Sequence, residues 1–329
     1  MRMPWLVYLI RRFGQASFVI FAMAVLVFLG VFAIGNPVDI LIAPDAPPAE
    51  MEAAIARLGL DKPLWEQFLI FLGKALQGDL GNSFVYAEPA VSVILARMPA
   101  TLEIAALALL MAIFFGIPLG VLAGLKPETA VGKSIMAGSI MGFSLPNFWQ
   151  GLMLILLFSV LLGWLPAGGR GPTEVILGMR ISFLSLEGFS HMLMPAFNLA
   201  LFKMSLVIRL ARAGTREVIL QDYIKFARAK GLSTQRIVMV HVLKNIMIPV
   251  VTILGLELGS MIAFAVVTET VFSWPGMGKL LIDSINRLDR PVIVAYLMLT
   301  VFLFVLINLL VDILYSVIDP RVRLSESKA

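Results

Sequence analysis

The sequence predicts an all-α integral membrane protein of about six transmembrane helices, and three observations carry that prediction. Apolar residues fill 60% of the 329 positions and charged residues only 14%, with a mean hydropathy of +0.94. That is more apolar surface than a soluble domain of this length can hide. The apolar residues fall into separate runs of roughly 20, the length that crosses bilayer hydrocarbon as a helix. Lys and Arg collect between the runs, as in Arg209 to Lys244, the way loops and spans alternate in a bilayer protein.

In hydrocarbon every backbone amide has to be paired inside its own segment, so each run is expected to be helical. The expected spans are Phe13 to Ile34, Leu102 to Leu125, Ile135 to Leu162, Met192 to Leu210, Ile246 to Val267 and Val292 to Val317. Arg11 and Arg12 precede the first, as they would a signal peptide. Its apolar stretch exceeds the usual h-region and no small-residue cleavage site follows, which favours an uncleaved anchor. With the N-terminus inside, the segments 1–12, 125–134, 209–244 and 319–329 hold 16 Lys and Arg in 69 residues, against 9 in 111 for 36–98, 163–190 and 271–290. That bias places both ends in the cytoplasm, with which an even number of spans agrees. The expected organisation is an N-terminus and first helix over 1–35, a small extracytoplasmic helical segment over 36–98, a transmembrane core over 99–318 with a cytoplasmic loop at 211–245, and a cytoplasmic tail over 319–329.

Two short helices are expected in the outer segment. Pro44, Pro47 and Pro48 make an extended lead-in, Glu50 to Leu60 has apolar residues at helical spacing up to Gly59, and Leu64 to Leu76 repeats the pattern before Gly78. Inside the spans glycine recurs every four residues at Gly116, Gly120 and Gly124, at Gly138 and Gly142, and at Gly255 and Gly259. Such spacing lets helix backbones approach closely in lipid. Pro118, Pro146 and Pro249 are expected to kink their spans.

Several function classes are excluded. The net charge of +5 reflects topology, and the aromatics sit mostly inside apolar runs, so no nucleic-acid partner is expected. The absence of cysteine removes disulfides, thiolate metal sites and a cysteine nucleophile. His191 and His241 lack ligand spacing and are expected at helix ends or interfaces, so no metal and no cofactor is expected. No nucleophile and base at helical spacing points to an intramembrane hydrolase. No Gly-rich phosphate loop is present, so the chain is not expected to bind ATP.

Ionisable residues within spans are costly and mark functional candidates. Lys203 lies in the fourth span, Glu257 deep in the fifth and Asp312 in the sixth. Lys203 and Glu257 are expected either to pair inside the bundle or to line a path for a charged solute. Glu103 is expected near the outer end of the second span, within reach of water.

The cytoplasmic loop from Gln221 to Arg236 has its own design. Asp222 is expected to cap a short helix that Gly231 ends in a left-handed conformation, and Ser233 to cap the next, with Leu232 and Ile237 as a hydrophobic staple. Tyr223, Phe226 and Ala227 form an apolar stripe flanked by Lys225, Arg228 and Lys230. So short a helix needs a surface to dock on, either another protein or the anionic inner leaflet.

The run Asp222-Tyr223-Ile224-Lys225-Phe226-Ala227-Arg228-Ala229-Lys230-Gly231-Leu232, followed by His241-Val242-Leu243-Lys244-Asn245 and Ile248-Pro249, closely resembles the coupling loop of ABC importer permeases of the dipeptide, oligopeptide and nickel branch. Of the wider family pattern, Glu-Ala-Ala, three residues, Gly, nine residues and Ile-x-Leu-Pro, this chain keeps Ala227, Gly231 and Leu243. Lys225 and Phe226 stand for Glu-Ala and Lys244 for Pro, departures that resemble those of the peptide branch. Ser144-Leu145-Pro146-Asn147-Phe148-Trp149, the run from Glu269 to Gly278 and Asp319-Pro320-Arg321 resemble further signatures of that branch. The resemblance implies a type I importer permease fold and a lipid-embedded subunit that pairs with a second, homologous permease. It also implies two cytoplasmic ATPase subunits that hydrolyse ATP and an extracytoplasmic binding protein that delivers solute. It assigns the coupling role to Asp222, Tyr223, Phe226, Ala227, Arg228, Ala229, Lys230, Gly231 and Leu232, and leaves Lys203, Glu257, Asp312 and Asn147 as candidates for the translocation path. The solute stays open between di- or oligopeptide, glutathione, an opine and a nickel chelate. A proton-coupled carrier using Glu257 and Asp312 is the alternative from another class.

Overall fold

The computed structural model describes residues 3–33, 47, 55, 61–176 and 178–318, and it is almost entirely helical. The expected outer helix over Glu50 to Leu60 lies outside the described residues apart from Ile55, as do the tail and the Asp319-Pro320-Arg321 motif. The chain forms two compact units, one of residues 1–98 with 280–329 and one of residues 99–279. Helix α1 (Met3–Ala33), α2 (Leu64–Leu76), α3 (Ala90–Leu125), α4 (Ala130–Ser144) and α5 (Asn147–Leu154, continued as a π-helical stretch Ile155–Leu161) lead to a two-stranded hairpin, β1 (Glu174–Ile176) and β2 (Met179–Ile181). Then come α6 (Leu186–Ile219), α7 (Asp222–Ala229), α8 (Thr234–Arg236, continued as π-helical Ile237–Val242), α9 (Leu243–Val271), α10 (Met277–Asn286) and α11 (Arg290–Ile318).

Five helices among the described residues are long and apolar enough to span a membrane, and six if α4 with α5 and its π-helical continuation counts as one bent span. The third expected span is that bent pair, with an angle of 111° between its halves. Proline accounts for the break. Pro146 has no N–H to donate and drives the residue before it out of the helical region, so Leu145 is extended at φ −82, ψ 140. The carbonyls freed at Gly142 and Leu145 are taken up by the buried Gln150, whose Nε2 donates to them at 3.0 and 2.8 Å. Pro118 and Pro249, by contrast, stay inside continuous helices.

In the smaller unit α1 packs along α11, and Phe28 on α1 meets Phe68 and Phe71 of α2 with ring centroids 5.3 and 5.8 Å apart. The loop before α3 is tied down by the buried Asp289, which accepts from Ser83 Oγ at 2.5 Å and from the Phe84 amide at 3.0 Å.

The larger unit is centred on α6, which packs against α3, α4, α5 and α9. The glycine ladder sets how closely α3 and α6 approach. A Cβ added at Gly116 would stand 2.9 Å from Val207 Cβ, one at Gly120 2.6 Å from Ala211 Cβ, and one at Gly124 2.7 Å from Thr215 Cβ. Each is nearer than real side chains come, so in these turns only glycine permits the observed contact. A Cβ at Gly138 would meet nothing within 4 Å and one at Gly142 would stand 3.7 Å from the Leu201 carbonyl oxygen, so among the described residues this pair forces no close helix approach.

Candidate functional site

Helix α7 is built as a two-sided plate. Its N-cap is Gln221, not Asp222; Asp222 is the first helical residue, and its carboxylate accepts from Lys225 Nζ at 2.8 Å instead of from a backbone amide. The helix closes in a Schellman turn: the Leu232 amide donates to the Ala227 carbonyl at 3.2 Å and the Gly231 amide to the Arg228 carbonyl at 2.9 Å. Gly231 sits at φ +79, where a side chain would be strained. Ser233 then accepts from the Arg236 amide as the cap of α8, and Leu232 and Ile237 pack in one core cluster, as the staple requires.

The apolar stripe divides differently from the expectation. Ile224 and Ala227 are buried in the core formed with α3, α6 and α9, whereas Tyr223 and Phe226 are 45% and 63% exposed. Ala227 therefore faces inward and anchors the plate. Turning outward are Phe226, Tyr223, Lys225, Arg228, Ala229 and Lys230, with Lys230 Nζ 4.5 Å from the Phe226 ring. Tyr223 is held by Asn245, whose Nδ2 donates to its hydroxyl at 3.2 Å and to the His241 carbonyl at 2.7 Å. Helix α7 is thus in direct contact with the start of α9.

Within the spans, Lys203 of α6 and Glu257 of α9 are paired, Nζ to Oε2. Ser260 joins them, accepting from Lys203 Nζ at 2.9 Å and donating to Glu257 Oε2 at 2.7 Å. Lys203 keeps 10% of its side chain exposed and Glu257 28%, so the carboxylate is the open half of the pair. Asn147 does something different. At the first position of α5 its Oδ1 accepts from Asn198 Nδ2 at 2.5 Å and its Nδ2 donates to Thr268 Oγ1 at 3.2 Å, tying the bent span to α6 and α9. Asp312 lies on α11, but its side chain is outside the described residues.

Two sealed carboxylates lie elsewhere in this unit. Glu103, expected within reach of water, is only 7% exposed at its side chain and pairs with Arg170 at 3.0 Å while accepting from the Ser182 amide at 2.8 Å. Its partner is 67 residues away, beyond any local pattern. Glu269 is fully buried at the end of α9; it accepts from Thr101 Oγ1 at 2.6 Å and from the Lys279 amide at 2.9 Å, in the first turn of α10. Trp274, also buried, donates from Nε1 to the Ala100 carbonyl at 2.8 Å. In sequence Glu269 stands only within a signature run, eight residues before the start of α10. His191, near the start of α6, faces the Gly168 and Gly169 carbonyls and fits its helix-end expectation.

A bundle of this topology, with a capped helical plate between two of its spans, defines the membrane-embedded subunit of a transporter. Residues 116–324 match the family described as binding-protein-dependent transport system inner membrane component, and residues 5–105 match the N-terminal model of the same systems. The chain belongs to this family. It is 40% identical to the di/tripeptide transport system permease protein DppB of Pseudomonas aeruginosa, over 96% of this chain and 98% of that one. It is 38% identical to the oligopeptide transport system permease protein AppB of Bacillus subtilis, over 96% and 99%, and 37% to the glutathione transport system permease protein GsiC of Escherichia coli, over 96% and 98%. In fold it matches a chain of the inward-facing MetNI methionine ABC transporter with a TM-score of 0.55 at 17% identity, covering 70% of this chain and 99% of that one. The protein is a multi-pass inner-membrane permease subunit with the fold of a type I ABC importer, and it is not itself an enzyme.

Proposed function

We propose that this chain forms one half of the membrane path of an ATP-driven importer of di- or oligopeptides, with both termini in the cytoplasm. In this reading a second, homologous permease completes the path, two ATPase subunits dock on the cytoplasmic side and a binding protein delivers solute outside. The observation that carries the coupling role is the two-sidedness of α7: Ile224 and Ala227 fix one face in the core shared with α6 and α9, and Tyr223 and Phe226 offer the other. An exposed aromatic pair rimmed by cations suits a groove with an apolar floor and acidic edges. ATP-driven movement of that groove would carry α7 with it, and the Tyr223–Asn245 contact and the staple would pass the movement to α9. The solute class is supported by near full-length similarity to permeases named for di- and tripeptides, oligopeptides and glutathione.

Phe226→Asp places a charge on the outward face without touching the core. In proteoliposomes holding the complete transporter, this variant is expected to lose solute-stimulated ATP hydrolysis and peptide uptake together. The chain has no cysteine of its own, so a single Phe226→Cys is also expected to cross-link to an ATPase subunit. Parental uptake by Phe226→Asp, or no cross-link in an assembled complex, contradicts the coupling role.

A further inference from the structure

One run of side chains in the larger unit is left over from packing. Beside the Lys203–Glu257 pair, and next to Lys203 on α6, is Phe202, whose ring centroid is 5.1 Å from Lys203 Nζ. Phe202 stacks on Phe143 of α4 at 4.7 Å, and the Arg209 guanidinium lies 4.6 Å from the Phe143 centroid. Both rings are more than two-fifths exposed, so their faces are open to a solute. The two ends of the run are chemically open. Glu257 takes both Lys203 and Ser260 on Oε2, while Oε1 accepts no hydrogen bond among the described residues. Arg209 makes no hydrogen bond or ion pair among them, and its Nε is buried without a partner. A guanidinium with one buried donor unpaired and no counter-charge gains when an anion arrives.

We infer that Glu257, Phe202, Phe143 and Arg209 form a binding site for a zwitterionic peptide of two or three residues. Its ammonium group sits at Glu257 Oε1, its side chains lie on the two rings and its carboxylate pairs with Arg209. The inference rests on the peptide reading above and adds the residues that recognise the solute. Length fits. Phe202 and Arg209, seven positions apart and both against Phe143, share one face of α6 and stand about 10 Å apart along its axis, and an extended peptide of three residues spans about 11 Å. Charge fits as well: a lone acceptor at one end and a lone cation at the other match a free amino terminus and a free carboxylate. Aromatic faces between them accept varied side chains without selecting one. A forked guanidinium holds a carboxylate in two parallel hydrogen bonds, a geometry lysine lacks, while lysine retains the charge.

The test uses the complete transporter in proteoliposomes with radiolabelled Ala-Ala as the probe. Uptake per assembled complex is expected to fall about tenfold or more in Arg209→Gln, the loss that removing a charge-assisted hydrogen bond produces. Arg209→Lys is expected to recover most of that loss. Parental uptake by Arg209→Gln overturns the site, and so does an equal loss in the Gln and Lys variants. A photoreactive phenylalanine analogue at position 143, with Arg209 intact, is expected to label the dipeptide during turnover. If it instead labels only the second permease while the dipeptide is transported, Arg209 answers a subunit carboxylate and the site is wrong. A parental complex that takes up no di- or tripeptide contradicts the solute reading itself, separately from the site.

Discussion

Helix α9 carries two carboxylates, Glu257 and Glu269, that the fold treats in opposite ways. Glu269 has both oxygens engaged, by Thr101 and by the Lys279 amide, and no exposure at all. Glu257 has one oxygen engaged and one open, and over a quarter of its side chain exposed. A buried carboxylate with every acceptor filled closes a structure, because the donors it satisfies would otherwise be orphaned. One held in place by a lysine and a serine, with an oxygen left over, is positioned for something that comes and goes. On the proposed reading the same helix serves as a strut at one end and as a binding wall in the middle.

The largest expected effect sharpens that contrast. Glu269→Ala leaves the Thr101 hydroxyl and the Lys279 amide without an acceptor, at about 1–3 kcal/mol for each. It should lower the amount of folded protein in the membrane and the thermal midpoint of the purified subunit. Gly120→Val, on α3, tests the close approach to α6: a branched side chain inserted 2.6 Å from Ala211 Cβ should cost about 1–3 kcal/mol or more by forcing α3 and α6 apart. Fluorescence-detected thermal unfolding reads it. Glu257→Gln, whose amide oxygen still accepts from Lys203, should leave assembly with the partner subunits intact and cut peptide uptake about tenfold, the worth of one charge-assisted hydrogen bond. Smallest is Gly138→Ala, which meets open space and should shift stability by no more than about 1 kcal/mol. A large loss from Gly138→Ala would place a partner helix against that face.

Much of this was legible before any coordinates. The spans declare themselves because lipid leaves a long apolar run no alternative to a helix, and the helices overrun the expected limits at Met192 and Leu210 because hydropathy marks the bilayer and not the helix end. The cap at Ser233, the left-handed Gly231 and the staple are local, so spacing sufficed. The depth of the break at Pro146 was not legible, since a proline only frees carbonyls and it is Gln150 that makes a sharp bend affordable. Ala227 was placed on the wrong face because an eight-residue helix with apolar Ile224, Ala227, Tyr223 and Phe226 offers two apolar sides, and only the core beneath chooses between them. Glu103 was misjudged because its partner Arg170 comes from a distant segment. Arg209 looked like one more positive loop residue, and nothing in its neighbours announced the ring of Phe143.

The distinction between the two carboxylates can be tested with one paired measurement: uptake per assembled complex and total assembled complex, for Glu257→Gln and Glu269→Gln side by side. Each substitution keeps size and replaces one carboxyl oxygen by an amide nitrogen. The account predicts that Glu257→Gln assembles at the parental level and transports poorly, whereas Glu269→Gln assembles poorly and transports at near-parental rates in whatever complex survives. Normal transport by Glu257→Gln together with a fully assembled but inactive Glu269→Gln would contradict it.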